Sequence, residues 1–395
     1  MLAFLYFVQM LINFPKMMVI SWNNMISFQK LPSSAPLNFR VTTVYQQNPE
    51  LWMTPADVIR STVAVNASVC HLTMSKSTWL TWKVGDRVVE TRDCNQVIRL
   101  SSSETIISVT LSTPFKTQKF LSELISPPAK PYWLAAIGDS YSSGQGNPDI
   151  PMTHGSPAKW LDDSCYRSSK AFPYLVSQKI KNVTSSLSFL SCSGSTVDHG
   201  ILSKNGQMER LEQMILARGA PPDVLFLTVG GNDIGFTDVI SMIQRDKLNE
   251  KFFDMRFFFV SHQIDRVARR LEELNITRVV ILDYYDVTRN EKGVVDGSCG
   301  AFGQVSLPNL QLAERKIFQK LNNLLRRKAK QHGWVTVDTT EIFRTRGICS
   351  KDSLIRSRNE SMRLQGNEYG SFHPNEDAHS FFFFLEKNFE KIDLL

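Results

Sequence analysis

Short apolar runs alternate with longer amphipathic stretches from residue 132 onward, and this alternation constrains the fold more than any other feature of the sequence. The candidate strands are YWLAAI (132–137), SLSFLSC (186–192), DVLFLTV (223–229), RVVILDYY (278–285) and WVTVDT (334–339). Helical periodicity marks the stretches 168–181, 208–218, 253–274 and 309–331. Strands that are apolar on both faces and separated by helices form parallel sheets covered on both sides. The pattern therefore predicts an α/β domain over 132–395.

Two aromatic runs belong to predicted helices of this domain. Phe257–Phe259 lies in the third helical stretch, and Phe381–Phe384 lies in HSFFFFLEKNFEKI (379–392), a closing helix. We expect both runs to pack on the sheet rather than to bind lipid.

Residues 38–125 have a different pattern, which predicts a β-sandwich. STVAVNASVC, TWLTWKVGDRVVE, NQVIRL and TIISVTLS are short, rich in β-branched residues and separated by polar turns. Several such strands at this spacing are typical of an immunoglobulin-like module. SPPAKP (126–131) is a predicted linker, because its prolines stiffen the chain and prevent strand pairing.

Length, composition and charge indicate a globular protein and do not indicate a nucleic-acid-binding one. The 395 residues exceed the usual size of one core, and the composition is that of a globular protein, with 42% hydrophobic and 21% charged residues. The net charge is +7, but no block of Lys and Arg with interleaved aromatic residues occurs, so the sequence does not predict nucleic-acid binding. The apolar run LAFLYFVQMLI (2–12) is too short to span a membrane, and residues 1–37 are interpreted as an N-terminal arm or an atypical signal segment.

The six cysteines favour an oxidising compartment. They form three sequential pairs, Cys70 with Cys94, Cys165 with Cys192 and Cys299 with Cys349. None belongs to a C-x-x-C motif and no cluster of histidines accompanies them, so no metal site is predicted. Three disulfides in a secreted protein fit this pattern, and six buried free thiols in a cytosolic protein are the alternative. Four N-x-S/T motifs, at Asn66, Asn182, Asn275 and Asn359, permit a glycoprotein.

Candidate site residues follow the first three predicted strands of the α/β domain. Ser140 follows the first strand, in AAIGDSYSSGQGNPD (135–149), Gly194 in CSGST follows the second, and Asn232 in GGND follows the third. In such sheets ligands bind beyond the carboxyl ends of the strands. Ser140 has two interpretations, because a Ser at a strand-to-helix turn is also a favoured helix N-cap.

Acyl transfer needs a nucleophile, a base and donors for an oxyanion. The chain has seven histidines as candidate bases: His71, His154, His199, His262, His332, His373 and His379. His373 is predicted to lie in a loop after the last strand, directly before Pro374, from which it can reach Ser140. His154 and His199 are candidate substrate contacts, and His379 is predicted to be structural. A base with an ordinary imidazole pKa predicts activity that rises between about pH 6 and 7.

Four segments resemble, in order, the four sequence blocks of the SGNH, or GDSL, hydrolases: GDSYSSGQGNPD, SCSGST, VGGND and FHPN. Their central residues are Ser140, Gly194, Asn232 and His373. The resemblance covers most of 132–392, and CYRSSKAFPYL (165–175) is similar to a segment of secreted members.

The resemblance implies a flavodoxin-like three-layer domain that acts as an esterase or lipase. Ser140 would be the nucleophile and His373 the general base. The backbone amides of Ser140 and Gly194 and the side chain of Asn232 would form the oxyanion hole. The implied partner is a small-molecule, lipid or acylated-carbohydrate ester, with no metal or organic cofactor.

The chain departs from the family at one position. Most members have an Asp three residues before the His, where it orients the imidazole, and here that residue is Gly370. Some members use a Ser–His dyad in which a backbone carbonyl holds the imidazole, and Glu368 or Asp377 could also take the role. The departure leaves open a weakly active or inactive binding protein. A carbohydrate O-acyl esterase, with the β-module engaging polysaccharide, is a further alternative.

The neighbours of the site residues have predicted supporting roles. Asp139 is expected to shape the turn beside Ser140 through backbone hydrogen bonds, and Asp233 to fix the loop that aims Asn232. The Cys165–Cys192 bridge would either make the oxyanion hole rigid or only stabilise the fold.

Overall fold

A computed structural model of the chain describes residues 40–43, 50–60, 63–70, 72, 74–100, 106–121, 131–180, 185–245, 250–303 and 305–383. The predicted N-terminal arm (1–37), most of the linker (126–131) and His71 lie outside these ranges. The chain divides into two compact units, one from 1–46 and 59–131 and one from 47–58 and 132–395.

The described strands are β1 (Arg40–Thr43), β2 (Glu50–Leu51), β3 (Val63–Ser68), β4 (Trp79–Val84), β5 (Arg87–Thr91), β6 (Asn95–Leu100), β7 (Ile107–Ser112), β8 (Thr117–Leu121), β9 (Tyr132–Ile137), β10 (Ser185–Phe189), β11 (Val224–Leu227), β12 (Val279–Leu282) and β13 (Val335–Val337). The described helices are α1 (Pro55–Arg60), α2 (Ser140–Ser143), α3 (Phe172–Lys179), α4 (Gln207–Arg218), α5 (Phe236–Gln244), α6 (Glu250–Glu273), α7 (Leu307–Ala313), α8 (Gln319–His332), α9 (Thr340–Phe343), α10 (Arg358–Gln365) and α11 (Glu376–Phe383). A short π-helical segment, Glu314–Phe318, joins α7 to α8.

The second unit is built on a parallel sheet. Its strand order is β13-β12-β11-β9-β10-β2, and every neighbouring pair is parallel. All residues of β11 and β12 are buried, as the continuous apolar runs predict for strands covered on both faces. The α/β fold with a parallel sheet is therefore confirmed. The helices follow the predicted periodicity, and α4 and α8 each end at a left-handed glycine, Gly219 and Gly333.

The aromatic run in α6 differs from the prediction. Phe257 is buried in the core, but Phe258 and Phe259 are 62% and 55% exposed. Only one helix face can meet the sheet, so three consecutive aromatic side chains cannot all pack on it. In α11, Phe381 is partly buried against the same core, and Phe384 lies outside the described residues.

The described residues of the first unit form two antiparallel sheets, with strand orders β1-β3-β6 and β5-β4-β7-β8. Its buried cluster includes Leu80, Trp82, Val109 and Phe120. Its classification as an immunoglobulin-like sandwich stays a prediction.

The structure differs from the predicted boundaries of the β-module, 38–125, in one segment. Residues 47–58 belong to the α/β unit, where β2 extends the parallel sheet beside β10. Trp52 follows β2 and packs against Trp133, with ring centroids 5.6 Å apart. Burial of this large side chain draws the segment into the α/β core.

All six cysteines are paired, as Cys70–Cys94, Cys165–Cys192 and Cys299–Cys349. Within the described ranges, no helix is long and apolar enough to cross a membrane. The same residues contain no group of three or more His, Cys, Asp or Glu side chains arranged to hold a metal ion.

Candidate active site

Three adjacent strands bring the predicted site residues together. β10, β9 and β11 are neighbours in the parallel sheet, so the loops that follow them meet at one edge. Ser140, Gly194 and Asn232 lie in these loops, and His373 comes from the loop before α11. All four residues line one cavity of about 600 Å³.

The turn after β9 presents Ser140 at the first position of α2. The N-cap of this short helix is Asp139, whose carboxylate accepts a hydrogen bond from the backbone N–H of Tyr141 at 3.0 Å. The turn requires glycine at 138, because φ is +147° and a Cβ there would lie 2.2 Å from Oγ1 of Thr228. The capping role thus belongs to Asp139, and the Ser140 hydroxyl is turned toward the cavity.

His373 lies beside Ser140 and is held by the backbone. Its Nε2 is 2.9 Å from Oγ of Ser140, and its Nδ1 is 3.1 Å from the carbonyl oxygen of Ser371. A carbonyl oxygen only accepts hydrogen bonds, so Nδ1 carries the proton and Nε2 is the acceptor for the hydroxyl. The pair has the contact that a nucleophile and its base require.

The environment keeps the His373 imidazole neutral. Removal of the ring from water lowers its pKa to about 4. Hydrogen bonds to the backbone at Ser371 and Gly370 act in the opposite direction and raise the pKa, but their effect is smaller. This corrects the expectation of an ordinary pKa, on which activity would rise between about pH 6 and 7. The cause is the packing of the His373 loop, which the sequence does not reveal.

The backbone explains why Gly370 stands at the position where an acid was expected. A Cβ at Gly370 would lie 2.7 Å from Cα of Gly146 and 2.9 Å from Oγ of Ser361. The two glycines bring the loop after α2 and the loop before His373 into direct backbone contact. No side chain fits between them without a shift of the chain.

Neither alternative acid contacts the imidazole among the described residues. Glu368 is exposed and accepts a hydrogen bond from Arg358 at 2.5 Å. Asp377 is exposed and lines a separate cavity beside Arg346. The partner of Nδ1 is the carbonyl of Ser371.

Gly194 and Asn232, the predicted oxyanion-hole donors, lie in the loops that follow β10 and β11. Gly194 adopts φ +76°, which favours glycine. The Asn232 amide donates one hydrogen bond to the carbonyl of Ser195 at 2.9 Å, which orients its remaining N–H. Asp233 accepts from the backbone N–H of Val197 at 2.9 Å, and burial raises its pKa to about 6. Asp233 therefore joins the loop after β10 to the loop after β11, and its role in aiming Asn232 stays a prediction.

Asp139, next to Ser140 in the chain, is buried in a polar network. Its carboxylate accepts hydrogen bonds from the Thr228 hydroxyl at 2.9 Å and from the Tyr284 hydroxyl. Burial raises the pKa of Asp139, and these hydrogen bonds oppose the rise. The sequence indicates Asp139 but not Tyr284, because nothing in RVVILDYY shows which side chain reaches the turn that carries Ser140.

Sequence reasoning also missed Gln145 and Ser193, which line the cavity. The Ser193 hydroxyl donates to Oε1 of Gln145, whose Nε2 donates to the carbonyl of Tyr369 at 2.6 Å. Gln145 stands in the first block and Ser193 directly precedes Gly194. Their position within the blocks was the only signal available.

The rest of the cavity has both apolar and polar lining. The apolar residues are Phe236, Ile240, Ala301, Ile348 and Phe372, and the polar ones include Thr237, Ser241, Arg358, Glu368, Tyr369 and Ser371. Such a cavity can hold an uncharged chain beside a few oriented polar groups.

The remaining histidines are placed elsewhere. His154 and His199 are exposed and do not line the cavity, so the structure gives no support to their predicted contacts with substrate. His332 ends α8 and lies 2.9 Å from Asp265. His379 is buried, and its Nδ1 accepts from the backbone N–H of Phe172 at 3.3 Å, which agrees with a structural role.

Comparisons with known proteins show what the chain resembles. The sequence model of the GDSL-like Lipase/Acylhydrolase family matches residues 136–381. The chain is 24% identical to a lipase of Streptomyces rimosus over 294 residues, which are 72% of this chain and 96% of that protein. It is 25% identical to Lipase 1 of Streptomyces coelicolor over 242 residues, which are 59% of this chain and 78% of that protein.

Among solved structures, phospholipase A1 from Streptomyces albidoflavus NA297 matches with a TM-score of 0.47 and 25% identity, over 66% of this chain and all of that one.

The chain belongs to the GDSL-like lipase and acylhydrolase family, whose model covers the segments that contain Ser140, Gly194, Asn232 and His373. It is a hydrolase that acts on ester bonds.

Proposed function

We propose that the chain is a secreted serine esterase or lipase in which Ser140 is the nucleophile and His373 the general base. The observation that carries the proposal is the 2.9 Å contact between Nε2 of His373 and Oγ of Ser140 at the wall of a cavity. The neutral imidazole supports it, because a base must be unprotonated to accept the hydroxyl proton.

The cycle has two half-reactions. Oγ of Ser140 attacks the ester carbonyl carbon while its proton passes to Nε2 of His373, and the imidazolium then protonates the departing alkoxide. Water attacks the resulting acyl-enzyme after giving a proton to Nε2, and the Ser140 oxygen leaves with that proton as the acid is released. The amides of Ser140 and Gly194 and the side chain of Asn232 stabilise the oxyanion of both tetrahedral intermediates.

A backbone carbonyl takes the place of the usual acid. The Ser371 carbonyl accepts the Nδ1 proton and so fixes the tautomer in which Nε2 faces Ser140. It also stabilises the imidazolium through its dipole, although less than a carboxylate would. The proposal is therefore a Ser–His dyad, with the oxyanion hole supplying a larger share of the rate than in a full triad.

The cavity favours esters with an apolar acyl chain. Phe236, Ile240 and Phe372 give apolar surface to the cavity that Ser140 lines, where an acyl chain would be removed from water. The name lipase, given to the two Streptomyces relatives, supports the same class.

Secretion is supported by the disulfides. All six cysteines are paired, which is the arrangement of proteins that fold in oxidising compartments. The acceptor asparagines Asn275 and Asn359 are exposed, as glycosylation requires.

Turnover of p-nitrophenyl esters of increasing chain length, together with acetylated sugars, tests the function. We expect hydrolysis of acyl esters, and His373→Ala should lower kcat/KM at least ~100-fold, the usual scale of a general base. His262→Ala is the matched control, because His262 is an exposed histidine on α6 that does not line the cavity. Equal turnover by wild type and His373→Ala would overturn the proposed role, and turnover of acetylated sugars alone would overturn the substrate class.

A further inference from the structure

Gln145 lies in the cavity wall between the donor loop and the base loop. It comes five residues after Ser140 and is only 6% exposed. Its backbone N–H donates to the carbonyl of Ser140 at 3.2 Å, in the turn that ends α2. The residue is thus rigidly attached to the nucleophile turn.

Both ends of the Gln145 side-chain amide are used, each on a different loop. Oε1 accepts the hydroxyl of Ser193, the residue directly before Gly194. Nε2 donates to the carbonyl of Tyr369, the residue directly before Gly370, at 2.6 Å. One planar amide therefore connects the loop that carries an oxyanion donor to the loop that carries the base.

A second contact anchors the His373 loop on its other side. The Asn147 amide donates to the carbonyl of Pro374 at 2.9 Å, so bonds from 145 and 147 hold the loop on both sides of His373. Between them, Gly146 packs on Gly370 backbone to backbone. This pairing fixes the loop against the turn that carries Ser140, and the Gln145 bridge extends the connection to Ser193.

The connection matters because a dyad lacks a carboxylate to guide its imidazole. His373 is oriented by a carbonyl of its own loop, so any drift of that loop moves the base together with its guide. A displacement of about 1 Å at a reacting group can cost about 100-fold in rate. The hydrogen bond from Gln145 to the Tyr369 carbonyl limits this drift. The hydrogen bond from Ser193 to Gln145 keeps the neighbouring Gly194 amide at a fixed distance from the same turn.

We propose that Gln145 is a positioning residue that holds the His373 loop and the Gly194 loop at the separation needed for acyl transfer. The proposal rests on the proposed function of Ser140 and His373. Gln145 exchanges no proton, since an amide does not titrate, and it acts through Ser193 and Tyr369.

Steady-state kinetics of Gln145→Met and Ser193→Ala on p-nitrophenyl butyrate test the proposal. Met has a similar length but cannot bridge the loops. We expect kcat of Gln145→Met to fall about 10- to 100-fold with KM within about threefold, because the transition state depends on alignment more than binding does. The matched control is Gln319→Met, since the exposed Gln319 amide donates to Glu314 at 3.1 Å outside the active-site cavity. It should leave kcat unchanged.

The double variant separates positioning from general destabilisation. If Ser193 and Gln145 act through one bridge, their combined effect on kcat is smaller than the product of the single effects. A Gln145→Met kcat within twofold of wild type overturns the proposal, and so do fully multiplicative effects in the double variant. If Gln145→Met does not fold, a kcat for Ser193→Ala equal to wild type overturns it instead.

Wild-type labelling by a fluorophosphonate keeps the two proposals distinct. A wild-type protein that labels at Ser140 while Gln145→Met retains full kcat contradicts only the role of Gln145. A wild-type protein that neither labels nor turns over ester contradicts the function of the dyad itself.

Discussion

Restoring the missing acid should damage the site rather than improve it. In Gly370→Asp the new Cβ would lie 2.7 Å from Cα of Gly146, so the two chains must move about 0.7 Å apart to reach the 3.4 Å at which ordinary contact begins. The same Cβ would meet Oγ of Ser361 at 2.9 Å. The clash is with backbone on one side, so a change of rotamer cannot relieve it.

The expected losses follow from this displacement. Overpacking of this kind costs about 1–3 kcal/mol, which corresponds to a fall in Tm of about 2–10 °C. The shift also carries the His373 loop away from Ser140, and a movement approaching 1 Å costs up to about 100-fold in kcat/KM. Gly370→Ala should lose nearly as much as Gly370→Asp, because the Cβ and not the carboxylate causes the damage.

Calorimetry and p-nitrophenyl butyrate turnover measure both effects. Gly297→Ala is the matched control: Gly297 does not have a positive φ, and its nearest neighbour would be a Val305 methyl at 3.3 Å. It should retain kcat/KM. A Gly370→Asp variant that exceeds wild-type kcat/KM, together with a Gly370→Ala variant that matches it, would refute the steric explanation, since the absent carboxylate would then be the limiting feature.

Three further outcomes are expected. Burial lowers the pKa of His373 to about 4, and the neutral imidazole is the active form. The value of kcat/KM should therefore rise through about pH 4 and be level from about pH 5 to 8. A midpoint between pH 6 and 7 contradicts this. Asn232→Ala should lower kcat about 100- to 1,000-fold with a near-native Tm, and a change of less than threefold excludes Asn232 from the oxyanion hole. Tyr284→Phe removes a hydrogen-bond donor from buried Asp139 and should lower the free energy of unfolding by about 1–3 kcal/mol in urea titrations. A change below about 0.5 kcal/mol means that Asp139 does not need this hydrogen bond.

Much of the α/β fold could be predicted because its determinants are local. Continuous apolar runs such as VLFL and VVIL identify strands buried on both faces, and helical periodicity separates them. Ligands bind at the carboxyl ends of parallel strands, so Ser140, Gly194 and Asn232, which follow three of these strands, are predicted to lie at one edge of the sheet. Segment 47–58 escaped prediction because two residues of β2 are too few to show periodicity.

The arrangement around His373 could not be predicted, since it depends on contacts between residues far apart in the chain. From the sequence, position 370 lacks the expected Asp. In the structure a side chain is excluded there by the backbone of Gly146, which lies more than two hundred residues earlier in the chain. The low pKa of His373 and the bridge at Gln145 arise from the same packing of loops. Spacing along the sequence contains no information on such approaches.

Covalent labelling shows whether Ser140 is the reactive serine. Wild-type protein treated with a fluorophosphonate should gain one adduct, and peptide mapping should place it on Ser140. Ser140→Ala should gain none, and His373→Ala should react at least ~100-fold more slowly, because the hydroxyl then lacks its base. An unlabelled folded wild-type protein, or an adduct on any serine other than Ser140, would contradict the account.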